Sequence, residues 1–376
     1  MNKIQMVDLK GQYNKLKPQI DAAIQDVIDQ TAFINGAPVQ TFSDNLSKYL
    51  GGVHVIPCGN GTDAIQIALM ALDLQPGDEV IVPSFTYVAT AEVIALLGLT
   101  PVMTDVDPDT FMITPEEIER VVTSRSKAIV PVHLFGQCAP MEEILDVARR
   151  HQLFVIEDTA QALGAVYTFS DGTQSAAGTM GDIGCTSFFP SKNLGCYGDG
   201  GAIFCKDADR AKRLKMIANH GQAQKYHHTI VGCNSRLDTL QAAILNVKLP
   251  HLDAYSRARQ KVAQRYDEEL STISWLTCPS RIATSTHVFH QYTIKLHEPT
   301  DRDLLQAHLR ELGIPSMVYY PIPLHLQEAY RQEAFPLRSF PVAEQLCKHV
   351  LSLPIHTEMD DETQQYIIEG IKKFKA

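Results

Sequence analysis

From about Val55 to Lys206, short β-rich apolar runs alternate with stretches whose apolar positions recur every three or four residues. Glu79 to Pro83, Pro101 to Val106, Lys127 to Leu134, Phe154 to Asp158 and Cys185 to Phe189 read as strands. Thr62 to Leu72, Thr86 to Leu97, Pro115 to Val122 and Met141 to His151 read as the helices between them. Strands separated by helices of this length predict a parallel sheet with crossover connections. The punctuation agrees: Pro76-Gly77-Asp78 turns into one strand, and Thr114-Pro115-Glu116-Glu117 supplies an N-cap, a proline at the first helical position and early acidic residues. Ligands of such sheets gather beyond the carboxyl ends of the strands, so Ser84 to Tyr87, Asp158 to Gln161 and Ser187 to Lys192 are expected to face one crevice.

After about Ala208 the pattern becomes a long, charged helical region running toward Leu270. A strand-like return, His290 to Leu296, and a helix from about Asp301 to Leu312 follow. With 376 residues the chain exceeds the usual limit of a single core. The expectation is therefore a large α/β domain over residues 1–245 and a smaller α+β domain over 246–376, divided near residue 245 without a Pro/Gly/Ser-rich linker.

Composition narrows the function more than the fold. With 45% hydrophobic and 20% charged residues the chain has the make-up of an ordinary soluble protein. A formal net charge of -10 argues against general affinity for nucleic acid or anionic membrane, so an anionic ligand must be held locally. Met1 to Tyr13 lacks the apolar core of a signal peptide and no stretch is apolar enough to span a bilayer, which predicts a cytoplasmic protein. The eight cysteines are scattered without a C-x-x-C, and His287 and His290 lack the carboxylate-rich surroundings of a metal site; no metal is expected.

The chemistry concentrates in Ser187-Phe188-Phe189-Pro190-Ser191-Lys192-Asn193-Leu194-Gly195, followed by Gly198-Asp199-Gly200-Gly201. A lysine among aromatic, small and turn-forming residues reads as held in a site, where desolvation lowers its pKa until the free amine attacks a carbonyl. A pyridoxal phosphate Schiff base needs such an amine. Cys58-Gly59-Asn60-Gly61-Thr62-Asp63-Ala64 places backbone amides and the Thr62 hydroxyl at a helix start, which suits a phosphate and equally suits a turn capped by Thr62 or Asp63. Asp158 follows the apolar strand Phe154-Val155-Ile156, where it either pairs with a pyridinium nitrogen or caps the next segment. Tyr87 either stacks on a flat ring or fills core.

Together with Pro83-Ser84-Phe85-Thr86-Tyr87, Glu157-Asp158-Thr159-Ala160-Gln161 and Asn234-Ser235-Arg236, these segments resemble the DegT/DnrJ/EryC1/StrS sugar aminotransferases over nearly the full chain. The resemblance implies the fold type I architecture of pyridoxal 5'-phosphate enzymes. It implies Lys192 as the Schiff-base lysine, Asp158 at the pyridine nitrogen, Gln161 near the ring hydroxyl, Tyr87 on the ring face, and Gly61, Thr62 and Ser187 on the phosphate. Asn234 would reach the phosphate of a neighbouring subunit, making the active unit a homodimer with two shared sites. Related sugar dehydratases carry histidine in place of the lysine, so the presence of Lys192 favours amino transfer.

Within the family the chain looks most like the branch that aminates UDP-linked 3-keto-hexuronic acids with L-glutamate, toward amino sugars of surface polysaccharide. Arg236, His227, His228, Tyr320 and His325 are then the candidate substrate contacts, able to meet a diphosphate and a carboxylate. Without the family, His227 and His228 read as a surface loop, Arg236 as a helix-surface charge, and Tyr320 to His325 as a rigid proline-shaped loop. Three alternatives stay open: amination of a UDP- or dTDP-4-keto-6-deoxy sugar, an NAD-dependent dehydrogenase suggested only by the alternating pattern, and a non-catalytic regulator that keeps the cofactor as a ligand.

Overall fold

The computed structural model describes residues 3–330 and 339–375. Two helices, α1 (Leu9–Gln30) and α2 (Ala37–Tyr49), lead into the predicted alternation. It runs β1 (His54–Cys58), α3 (Gly61–Met70), β2 (Glu79–Pro83), α4 (Ala89–Leu96), β3 (Thr100–Thr104), α5 (Pro115–Val121), β4 (Ser126–Ile129), α6 (Met141–His151) and β5 (Phe154–Asp158). A small hairpin, β6 (Val166–Thr168) and β7 (Gln174–Ala176), precedes β8 (Ile183–Ser187) and β9 (Gly201–Cys205).

These strands build a seven-stranded sheet in the order β1-β9-β8-β5-β4-β2-β3. It is mostly parallel: β9 alone runs against its neighbours, β1 and β8. The reason is connection length. The Phe188 to Gly200 segment carries no crossover helix, so the chain returns antiparallel. β2 and β9 are buried along their whole length, as expected for strands covered on both faces, and helices α3 to α6 supply apolar side chains such as Ile67, Val93, Ile118 and Val147 to that core.

The long helical region expected after Ala208 is broken. α7 (Ala208–Ala218) gives way to a hairpin, β10 (Gln222–Gln224) and β11 (His227–His228), before α8 (Thr239–Lys248) and α9 (Leu252–Leu270). Gly221 enforces the break: it has φ +68°, and a Cβ there would lie 1.7 Å from the Ile230 carbonyl oxygen. Then come β12 (Leu276–Thr277), β13 (Tyr292–Leu296), α10 (Pro299–Glu311), α11 (Pro341–His349), β14 (Val350–Leu353) and α12 (Asp361–Lys373). β12, β13 and β14 form an antiparallel sheet whose core takes in Val262, Tyr266 and Leu270 of α9 together with Ile367 and Ile371 of α12.

Candidate active site

The carboxyl ends of the paired strands β5 and β8 bring Asp158 and the Lys192 loop together, close enough for the two charges to act on each other. The loop that carries the lysine is tightly closed: Lys192 N–H donates to Phe189 O at 2.8 Å and Cys196 N–H donates to Phe188 O at 2.8 Å. A Cβ on Gly195 would stand 2.2 Å from Pro190 O, so only glycine closes this loop. Burial pushes the Lys192 ammonium down to about 8, against the charge of Asp158, which favours the protonated form.

Asp158 ends β5 and is 8 % exposed. Burial raises its carboxyl above the ordinary value, while the Ala160 N–H, 3.0 Å from Oδ1, and the Lys192 charge favour ionisation. Glu157, one residue earlier, points to the opposite face and is fully buried. Its carboxylate accepts from the N–H groups of Gly178 at 2.8 Å and of Met180 and Gly181, each at 2.6 Å, and from His133 Nε2 at 2.9 Å. His133 Nδ1 accepts from Ala139 N–H at 3.1 Å, which makes Nε2 the donor to Glu157. The strand end that presents Asp158 is thus bolted down from behind.

The start of α3 is the candidate anion cradle. Asn60 caps α3, its side chain accepting from Asp63 N–H at 2.8 Å, so the Gly61 and Thr62 amides open the helix free of side-chain caps. A Cβ on Gly61 would meet the Ser187 Cβ at 2.8 Å, which brings the end of β8 against the helix N-terminus. The groups present suit pyridoxal phosphate: free amides and a hydroxyl at a helix start, a buried carboxylate, and an amine of depressed pKa close to that carboxylate.

Gln161 spans the cleft wall. Its Oε1 accepts from Phe135 N–H at 2.8 Å and its Nε2 donates to the Tyr320 hydroxyl at 3.0 Å. Burial raises the Tyr320 phenol above its ordinary value, and the Asp158 charge adds to the shift. The Tyr87 ring lies 6.3 Å from that of Tyr320, inclined at 44°, and is 57 % exposed, so it is not core. Ser235 accepts from Gly59 N–H at 2.9 Å and donates to Asp63 at 2.6 Å, which seats Arg236 next to the cradle. Arg236 forms no ion pair with a described residue, and Asn234 is exposed.

The other expected contacts fall elsewhere. His325 is a correction: it is fully buried, its Nε2 is 3.1 Å from Glu344 Oε1, and its ring packs edge-on against Phe340. Burial lowers its pKa against the Glu344 hydrogen bond, and the ring lies in the interior rather than on an exposed face. His227 and His228 lie exposed on the β10–β11 hairpin, and His228 Nδ1 is 2.8 Å from His220 O. Neither hydrogen-bonds to the Lys192 cluster among the described residues. His290 went unrecognised in the sequence except as half of an H-x-x-H pair. It is buried, its Nδ1 has no partner among the described residues, and burial together with the Lys192 charge holds its pKa well down. His287 is spent differently: its Nδ1 accepts from Phe289 N–H at 3.0 Å and its ring stacks on Phe289.

The model of the DegT/DnrJ/EryC1/StrS aminotransferase family matches residues 14–372. The chain belongs to that family. It is 46% identical over 373 residues to a pleiotropic regulatory protein of Geobacillus stearothermophilus, covering 99% of this chain and 98% of that one. It is 46% identical over 368 residues to the UDP-2-acetamido-2-deoxy-3-oxo-D-glucuronate aminotransferase of Pseudomonas aeruginosa, covering 98% and 99%. It is 44% identical over 370 residues to a UDP-N-acetyl-3-dehydro-alpha-D-glucosamine 3-aminotransferase of Acidithiobacillus ferrooxidans, covering 98% and 97%. Among solved structures, a family aminotransferase of Brucella abortus superposes with a TM-score of 0.93 at 41% identity, covering 98% of each chain. NtdA of Bacillus subtilis, solved with bound cofactor PMP, gives 0.90 at 32%, covering 99% of this chain and 85% of that one. Pyridoxal phosphate is the cofactor of this aminotransferase family, and membership sets aside the dehydrogenase reading. No helix among the described residues is long and apolar enough to cross a membrane.

Proposed function

We propose that this family member transfers an amino group from L-glutamate to C3 of UDP-2-acetamido-2-deoxy-3-keto-glucuronic acid, in the cytoplasm, on the way to amino sugars of surface polysaccharide. The observation that carries the chemistry is Lys192 at the edge of the anion cradle with its ammonium held near 8 beside buried Asp158. At neutral pH a useful fraction of that amine is free to bond a carbonyl carbon. Once released, it is placed to carry a proton to and from the reacting carbon of donor or sugar. Pyridoxal phosphate, when bound, supplies the aldehyde that exchanges amines and the ring that takes up negative charge. Asp158 would hold the proton of the ring nitrogen, Gly61, Thr62 and Ser187 the phosphate, Gln161 the ring edge and Tyr87 the ring face. Arg236, beside the cradle, supplies a cation for the sugar's diphosphate or carboxylate, with Tyr320 at the cleft wall.

The substrate follows the Pseudomonas aeruginosa relative. Asn234 is exposed and so is free to reach the phosphate of a neighbouring subunit, which would make the active unit a homodimer, while His227 and His228 stay candidate substrate contacts on an exposed hairpin. A second reading, a regulator that keeps the cofactor without turnover, draws on the Geobacillus stearothermophilus relative. Visible absorbance of the cofactor-loaded protein separates the readings: the band should fall with L-glutamate and return with the 3-keto-uronate. No response to glutamate would favour the regulator. Return with a 4-keto-6-deoxy sugar, and not with the uronate, would move the substrate to the UDP- or dTDP-linked alternative.

A further inference from the structure

A fully buried lysine stands behind the Lys192 loop. Lys248, the last residue of α8, is 1 % exposed. Its Nζ donates to Gly195 O and stands 5.4 Å from the centre of the Tyr197 ring. Arg259, on α9, is buried as well and donates to the carbonyls of Phe289 at 3.3 Å and Ile355 at 3.1 Å. Among the described residues neither cation has a carboxylate partner. A methionine would fill the space of Lys248 without the cost of desolvating an ammonium, so packing does not account for a charge there.

What the lysine does that methionine cannot is hold a carbonyl oxygen. That oxygen belongs to Gly195, the residue on which the Lys192 loop closes. The loop is otherwise tied at its base to Phe188 and, through Asn193 Nδ2, to Val288 O at 3.0 Å. α8 grips the exit of the loop a second time, because Gln241 Oε1 accepts from Tyr197 N–H at 2.8 Å. Just before α8 begins, Ser235 is bonded to Gly59 and Asp63 at the anion cradle. The segment from Ser235 to Lys248 thus touches both the helix start at Gly59 and Asp63 and the exit of the Lys192 loop.

We infer that Lys248 is a positioning residue: by fixing the Gly195 carbonyl it aims the Lys192 amine into the cleft. This rests on the reading of Lys192 given above. The test compares wild type and Lys248→Met by steady-state kinetics and by competitive acetylation of Lys192 in the cofactor-free chain, read by peptide mass spectrometry across pH. K248M should unfold at or above the wild-type midpoint, with kcat about 10- to 100-fold lower and the glutamate KM within about three-fold. Its Lys192 should acetylate with an apparent pKa shifted toward that of a solvated lysine. Folded K248M with kcat and Lys192 acetylation unchanged would overturn the inference. Lys248→Gln carries the same comparison should the methionine variant not fold. Wild-type Lys192 acetylation that added pyridoxal phosphate fails to block would instead sink the reading of Lys192, and this inference with it.

Discussion

Lys192 shows how a reactive group costs its own protein stability. Its ordinary pKa of 10.5 falls to about 8 in the fold, so between these values the unfolded chain binds more protons and stability rises with pH. The cost is fully present below about 8 and gone above 10.5. Lys192→Met, studied without cofactor, should therefore be more stable than wild type at pH 7 by up to about 3 kcal/mol. The gap should narrow as denaturant titrations move to pH 10, and a wild type that is the more stable at every pH would contradict this. At this scale the sequence was readable where a residue's surroundings are its own neighbours, as for Lys192 in its loop and Asp158 at the end of an apolar strand. It was unreadable where they come from afar. His325 is buried by Glu344 of α11 and by Phe340 just before it, and Lys248, whose Nζ meets a carbonyl 53 positions away, looks like any lysine at a helix end.

Among elements, the pattern located β2, β5 and α6 at their observed bounds and put the three segments expected to face a ligand at strand ends. It joined α7, α8 and α9 because charged and apolar positions keep helical spacing on both sides of the hairpin. Gly221 and Gly232, flanking Thr229-Ile230-Val231, were the available signal of a β-turn-β insertion. β5 also carries a device that the motif alone did not disclose. Alternation sends Asp158 to the cleft and Glu157 to the opposite side, where four donors converge on one carboxylate. Glu157→Gln leaves at least one of those donors facing an amide N–H instead of an oxygen, and should cost about 2–4 kcal/mol in urea unfolding. Cofactor affinity should fall with it, since the anchor of Asp158 is lost. A variant as stable as wild type would show that the 178–181 turn holds without the carboxylate.

For the whole molecule, we read the chain as two units parting near residue 245, with α8 and α9 at the join and the site at the carboxyl ends of the interior strands β5 and β8. If Asn234 serves the neighbouring subunit, defects on different chains complement. Lys192→Ala and Asn234→Asp, each inactive alone, should on co-expression regain roughly a quarter of wild-type activity, because half the dimers then carry one intact site. Failure to regain activity in isolated mixed dimers would place each site within one subunit. The central claim is amino transfer to a 3-keto-uronate, and nitrogen itself can be followed. The decisive measurement is a reaction of the loaded protein with 15N-glutamate and UDP-2-acetamido-2-deoxy-3-keto-glucuronic acid, read by mass spectrometry and NMR of the sugar. The account predicts 15N bonded at C3, lost in Lys192→Ala. An unlabelled sugar, with glutamate unconsumed, would contradict it.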